Sequence, residues 1–198
     1  MQTGSDILLN HDGQLVYSCN FITADQAALD FKRLMQEVDW VSDVLKIFGK
    51  TIITRRKVAF QGDEGIHYTY SGFKKNASVW TPTVLKIKDR IEKETGHTFN
   101  SCLLNLYHNG TEGMGWHSDD EKEMKPRACI ASVSLGAERA MSFRYKTTKK
   151  TLTFQLENGS LLLMEGPIQE HWQHSLPVRK KVLDPRINLT FRSIILQP

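Results

Sequence analysis

The hydrophobic period of this chain changes at Gly96, from a helical repeat before it to alternation after it, and that change limits the possible folds more than any other feature. From Thr23, a plausible N-cap, Ala27, Phe31, Leu34, Met35 and Val38 recur at helical spacing, while Asp25, Lys32, Arg33 and Glu37 fall elsewhere. A second helix is predicted from Thr81-Pro82, with proline suited to the first turn, through Leu85, Lys88 and Ile91 to a stop at Thr95-Gly96. Both are amphipathic and are expected to pack on a sheet. Beyond Gly96, strands are predicted near residues 98–107, 128–135, 140–145, 151–156, 160–164 and 187–195. Turn signals such as Asn109-Gly110 and Asn158-Gly159 punctuate them. The implied class is α+β, mainly β, with a closed or double-sheet antiparallel core for which the jelly roll is the expected form.

A chain of 198 residues, 40% of them hydrophobic, buries one core and is short for two. It is read as one domain over 1–198, with residues 1–40 an N-terminal extension and helix and residues 98–195 the jelly-roll core. A net charge of +4 and a pI near 8.9 are compatible with a polyanionic partner. The start of the chain has no basic-then-apolar leader, and no stretch approaches the ~18 apolar residues of a membrane span. A soluble, intracellular protein without a membrane partner is expected, in the cytoplasm or nucleoid of a bacterium or the nucleus of a eukaryote. Cys19, Cys102 and Cys129 are widely spaced and read as reduced, buried thiols.

The last predicted strand carries the most chemistry. Alternation puts Ile187, Leu189 and Phe191 on one face and Arg186, Asn188, Thr190 and Arg192 on the other. That polar face belongs either to an edge strand in water or to a pocket, where two guanidiniums could hold a small dicarboxylate. Asn105 and Tyr107 form a matching pair at i, i+2. His117-Ser118-Asp119 sets an imidazole and a carboxylate on one side of an extended segment, a weak motif alone that gains from a later imidazole, His174 or His171. Two imidazoles and one carboxylate make the facial triad of non-haem iron(II) oxygenases, although zinc accepts the same donors.

Taken together, Asn105-Leu106-Tyr107, His117-Ser118-Asp119-Asp120-Glu121, His174-Ser175-Leu176-Pro177 and Arg186 to Arg192 resemble the AlkB-like 2-oxoglutarate dioxygenases, in the DNA-repair branch that acts on double strands. The similarity runs from about Phe48 to Ile194. It implies a double-stranded β-helix with helices buttressing one side, Fe(II) held by His117, Asp119 and His174, and 2-oxoglutarate among Asn105, Tyr107, Arg186, Thr190 and Arg192, with Asn188 in support. It also implies that O2 is consumed, that Arg186 grips the far carboxylate of 2-oxoglutarate, and that alkyl groups leave bases as aldehyde while succinate and CO2 are released. His171 is left a packing or supporting role.

The family's typical substrates, 1-methyladenine and 3-methylcytosine, carry a positive charge, and Asp120 and Glu121 are candidates for selecting it, Asp120 the nearer by resemblance. A lesion in duplex must be flipped out. Tyr68 and Tyr70 match the segment that contacts the flipped base, with Tyr70 where phenylalanine is expected, and Phe48-Gly49-Lys50 matches a finger loop that inserts an apolar wedge. Arg55-Arg56-Lys57 and Arg179-Lys180-Lys181 are expected to contact phosphates, whereas Lys74-Lys75 and Lys149-Lys150 read as ordinary surface. The expected partner is alkylated, duplex DNA, met by a monomer. The rivals are an AlkB-like demethylase of RNA or single strands, a non-catalytic nucleic-acid-binding jelly roll and, more weakly, a zinc hydrolase.

Overall fold

The computed structural model describes residues 6–47, 50–70 and 73–195. In chain order the elements are β1 (Asp6–Asn10), β2 (Gln14–Ser18), α1 (Ala24–Glu37), β3 (Val41–Ile47), β4 (Lys50–Gly62), β5 (His67–Tyr70) and β6 (Phe73–Asn76). There follow α2 (Pro82–Thr95), β7 (Ser101–Tyr107), β8 (Met114–His117), β9 (Ile130–Gly136), β10 (Arg139–Tyr145), β11 (Thr151–Leu156), β12 (Ser160–Glu165), α3 (Ile168–His171), β13 (Trp172–Leu176) and β14 (Arg186–Arg192). Among these residues an eight-stranded sheet runs β1-β2-β12-β9-β14-β7-β4-β3, a four-stranded sheet runs β11-β10-β13-β8, and β5 and β6 form a separate hairpin.

Three central strands of the large sheet share one alternation. Leu104 and Leu106 on β7, Ala131, Val133 and Leu135 on β9, and Ile187, Leu189 and Phe191 on β14 face one way, into a core completed by Leu34 of α1 and Val84, Ile87 and Ile91 of α2. This is the buttressed face. The opposite face meets the small sheet, and Leu15, Ile130, Leu162 and Met164 pack there against Phe143, Leu156 and Trp172. Two antiparallel sheets closed over a shared interior form a mainly β, jelly-roll arrangement.

Both predicted helices are present. Thr23 caps α1, its hydroxyl accepting from the Gln26 amide, and Gly96 ends α2 in the left-handed region at φ 75°. The inward stripe of α2 differs from the expected one. Val84, Ile87 and Ile91 are buried, whereas Leu85 is 40% exposed and Lys88 lies over the Trp80 ring. On α1, Met35 is likewise exposed. The two helices are joined by buried Asp30, which accepts from Gln26 on its own helix and Lys86 on α2.

Strands were expected only after Gly96, yet six precede it, and β2 and β4 extend the main sheet. The basic run Arg55-Arg56-Lys57 hides the alternation of β4, and β1 and β2 are only five residues each. The short β8 and β13 were missed as well, because histidine, serine and glutamine occupy positions that apolar residues fill in an ordinary strand. β14 is no edge strand, since it pairs with β7 on one side and β9 on the other, so its polar face lies inside the molecule. Among the described residues no helix is long and apolar enough to cross a membrane.

Candidate active site

The pleat that buries the core of β14 turns Arg186, Asn188, Thr190 and Arg192 into the space between the sheets. Across the ladder Asn188 stands opposite Asn105, and Arg186 opposite Tyr107. From the small sheet His117 on β8 and His174 on β13 are register partners, which brings their rings to 4.2 Å between centroids. Asp119 lies two residues past the end of β8 and is 5% exposed. These side chains line one cavity with Leu103, Met114, Ser132, Met141, Met164 and Leu176.

The donors converge. His117 Nε2 and His174 Nε2 lie 3.7 and 3.8 Å from Asp119 Oδ1. Two donors sharing one ion at about 2.0–2.2 Å lie no more than about 4.4 Å apart, so these separations suit a common cation. A carbonyl can only accept, so in the 2.9 Å contact of His117 Nδ1 with Gly115 O the ring nitrogen donates, and Nε2 is the atom turned toward Asp119. Burial, reinforced by neighbouring His117, holds His174 down at about 3, so the His174 ring is neutral near pH 7.

Asp119 is oriented from three sides. Its Oδ2 accepts from Arg192 Nη2 at 2.8 Å, its amide donates to Gln169 Oε1 at 2.9 Å, and neighbouring Ser118 donates to Trp172 O. Oδ1 is thereby left to the imidazoles. Burial acts to raise the Asp119 pKa, but Arg192, His174 and His117 outweigh it and hold the carboxyl below its ordinary range. Arg192 is therefore committed to the carboxylate, with Glu121 Oε1 a further 4.0 Å from its Nη1.

At the other end Arg186 is 2% exposed, donates to Ser134 Oγ at 2.9 Å and lies over the Tyr107 ring at 5.7 Å. Among the described residues no carboxylate pairs with it. Burial pulls it down to about 10, the mark of a desolvated cation in want of an anion. Arg186 Nε, Arg192 Nε and Asn105 Oδ1 are buried without hydrogen-bond partners. Three unmatched polar atoms around one cavity fit a polar ligand carrying carboxylates. Asn188 instead donates to Ser132 and Val133 O and accepts from Thr190, bracing the wall.

The remaining expected residues divide. His171 stacks on Tyr145 and is outside the metal cluster. Tyr68 is 1% exposed and packs on Phe60 at 4.6 Å, so it is a buried neighbour of the site, not an open platform. Tyr70 ends β5. Phe48 and Gly49 lie outside the described residues, and Lys50 begins β4. Arg179, Lys180 and Lys181 are exposed on the loop between β13 and β14, where the Arg179 amide donates to Gly110 O at 2.7 Å.

Two expectations need correction. Arg56 is 4% exposed and ion-paired with Asp43 at 2.6 Å, so it faces inward between exposed Arg55 and half-buried Lys57 and is not positioned for phosphate. Lys75 is not ordinary surface, because its Nζ lies 2.6 Å from the other oxygen of Asp43. Asp120 is exposed, whereas Glu121 is half-buried with one oxygen 4.0 Å from Arg192 Nη1, and burial raises the Glu121 pKa. Sequence reasoning also missed Ser132, Ser134 and Gln169. The serines were legible as small polar residues at alternate positions of an apolar strand, whereas nothing marked Gln169.

Residues 14–192 match the family described as the 2OG-Fe(II) oxygenase superfamily. The chain belongs to that superfamily. Within it, this oxygenase is AlkB-like. It is 43% identical over 176 residues to the DNA oxidative demethylase ALKBH2 of Mus musculus, covering 83% of this chain and 74% of that protein. It is 33% identical over 214 residues to the protein of the same name from Arabidopsis thaliana, covering 94% and 68%. It is 36% identical over 188 residues to the alpha-ketoglutarate-dependent dioxygenase alkB homolog 3 of Homo sapiens, covering 90% and 65%. Among solved structures, one described as the structure of OsALKBH1 superposes with a TM-score of 0.66 at 16% identity, over 95% of this chain and 100% of that one, which bears on the fold. The oxygenase is accordingly a 2-oxoglutarate-dependent dioxygenase whose cofactors are Fe(II), 2-oxoglutarate and O2.

Proposed function

We propose that this oxygenase removes alkyl groups oxidatively from damaged bases in DNA, with 1-methyladenine and 3-methylcytosine as the substrate type. The observation that carries the reading is the pairing, in one cavity, of a His117-Asp119-His174 donor set with Arg186, a buried cation that no carboxylate of the described residues neutralises. The similarity to proteins named DNA oxidative demethylase supports DNA as the substrate.

In this reading His117, Asp119 and His174 would hold iron, and Arg186 would hold the distal carboxylate of 2-oxoglutarate. Asn105 and Tyr107 add polar contacts, and Asn188 and Thr190 hold the wall. Arg192 fixes Asp119 through Oδ2 and leaves Oδ1 beside the two imidazoles, where it would serve as the third ligand. With iron, 2-oxoglutarate and O2 in place, the cofactor set supplies the oxidation that hydroxylates the alkyl carbon, after which the group leaves as aldehyde. The apolar side chains Leu103, Met114, Met141 and Leu176 keep water from the reacting carbon. Glu121, with one oxygen 4.0 Å from Arg192 Nη1, adds a second carboxylate beside that guanidinium. Asp120 is offered to the cationic base from the mouth.

The preference for duplex and the monomeric state are part of the proposal. Phe48, with Gly49 and Lys50, supplies the wedge, Tyr70 contacts the flipped base with Tyr68 packed behind the site, and Arg179, Lys180 and Lys181 hold phosphates. The deciding measurement is 2-oxoglutarate-dependent formaldehyde release from oligonucleotides carrying 1-methyladenine or 3-methylcytosine, single-stranded and duplex. Release from DNA is expected, and its absence with succinate production at the level of the no-DNA control overturns the reading. Phe48→Ala is expected to weaken duplex repair and spare single strands, and equal losses on both remove the wedge.

A further inference from the structure

A second group of metal-ligand side chains lies on the other face of the large sheet. β12 ends at Glu165, and because Met164 is registered against Ile130, the residue facing Glu165 across the ladder is Cys129, just ahead of β9. Cys129 is buried in the helix-side core with Ile91 and Phe99. The left-handed Gly96 at the end of α2 turns the chain so that His97 reaches the same edge, with Nε2 2.7 Å from Glu165 Oε1. One sulfur, one nitrogen and one oxygen donor from three separate segments all lie within 4.8 Å of one another.

We propose that His97, Cys129 and Glu165 form a second metal site, selective for a borderline, thiolate-accepting divalent cation of the zinc class. The donor sets separate the two sites. The pocket described above offers two imidazoles and a carboxylate, whereas a thiolate with one imidazole and one carboxylate favours zinc, with a fourth position open to water. A tetrahedral ion at about 2.0–2.3 Å from each donor needs them about 3.3–3.7 Å apart, so the His97–Glu165 pair has to open by under about 1 Å. Their side chains are 39% and 25% exposed and have room to rotate, while Cys129 stays anchored in the core. A bound ion would tie the end of α2 to β9 and β12, whose Ser132 and Met164 line the catalytic cavity. Its effect on the reaction would be mechanical, through the wall.

The test is cobalt(II) titration of the metal-free full-length protein, read by the thiolate-to-cobalt charge-transfer band, which the catalytic donors have no sulfur to produce. The band is expected in the wild type and in Asp119→Asn, and is expected to be lost in Cys129→Ser. Glu165→Gln, at a partly exposed position, is expected to bind cobalt more weakly by at least about tenfold, since removing even a group that only supports a ligand commonly costs that much. That variant keeps the test informative if Cys129→Ser fails to fold. A wild type with no thiolate band, or a band that survives in Cys129→Ser, overturns the site and leaves an ion pair beside a buried thiol. Neither outcome depends on whether the enzyme repairs DNA.

Discussion

Arg186 is the residue on which anion binding turns. A guanidinium buried without a carboxylate is costly until a ligand pairs with it, and removing one partner of such a pair costs about 2–5 kcal/mol. Arg186→Met should therefore bind 2-oxoglutarate at least about thirtyfold more weakly, because about 2 kcal/mol is the lower end of that range. The same variant should melt at an equal or higher temperature than the wild type without ligand, and should lose the stabilisation that 2-oxoglutarate confers; thermal shift with and without the diacid reads both. Arg192 has the opposite employment, since it already holds Asp119 Oδ2 at 2.8 Å. Arg192→Met should lower metal affinity by about 10–100-fold, the usual effect of removing a group that orients a ligand, measured by cobalt titration. The polar face of β14 was legible because alternation is simple to read. The division of labour between its two arginines was not, because it depends on Asp119, a residue 73 positions away.

Among the elements, the β3–β4 and β5–β6 hairpins are joined through one side chain. Asp43 on β3 accepts from Arg56 on β4 and from Lys75 on β6, each at 2.6 Å. Asp43→Ala leaves Arg56 buried beside an apolar methyl and should cost about 3–5 kcal/mol in chemical denaturation. Adding Arg56→Met should recover most of that loss. A run of basic residues in a sequence cannot say which member turns inward; only the pairing of β3 with β4 does. The basic loop after β13 is held by backbone, since Gly110 donates to Val182 O and accepts from Arg179. A Cβ at Gly110 would sit 1.9 Å from Arg179 O, so Gly110→Ala must displace residues 179–181. DNA affinity should fall, and the slope of its logarithm against log salt should shrink by about 0.9 for each phosphate that the loop ceases to neutralise. Fluorescence anisotropy over a salt series measures it, and an unchanged slope would remove this loop from the DNA interface. The Asn109-Gly110 turn was visible in the sequence, whereas the distant loop that packs on it was not.

Across the molecule, the most protected region should be the strands that form the floor of the cavity. β14 lies between β7 and β9 and under both helices, so its amides, with those of its two neighbours, should be the slowest to exchange with deuterated solvent. The β5–β6 hairpin and the β13–β14 loop should exchange early. The change of period at Gly96 announced the class of fold, but not that residues before it would supply strands to both flanks of the main sheet. Pairing across such sequence distances leaves little local trace. The pleat of β14 also guards against misfolding. Sliding that strand by a single residue would drive arginines into the helix-facing interior and turn Ile187, Leu189 and Phe191 toward the cavity, so a one-residue slip is strongly disfavoured. The register that buries the core of β14 is thus the same one that lines the reaction chamber, and neither can be lost without the other.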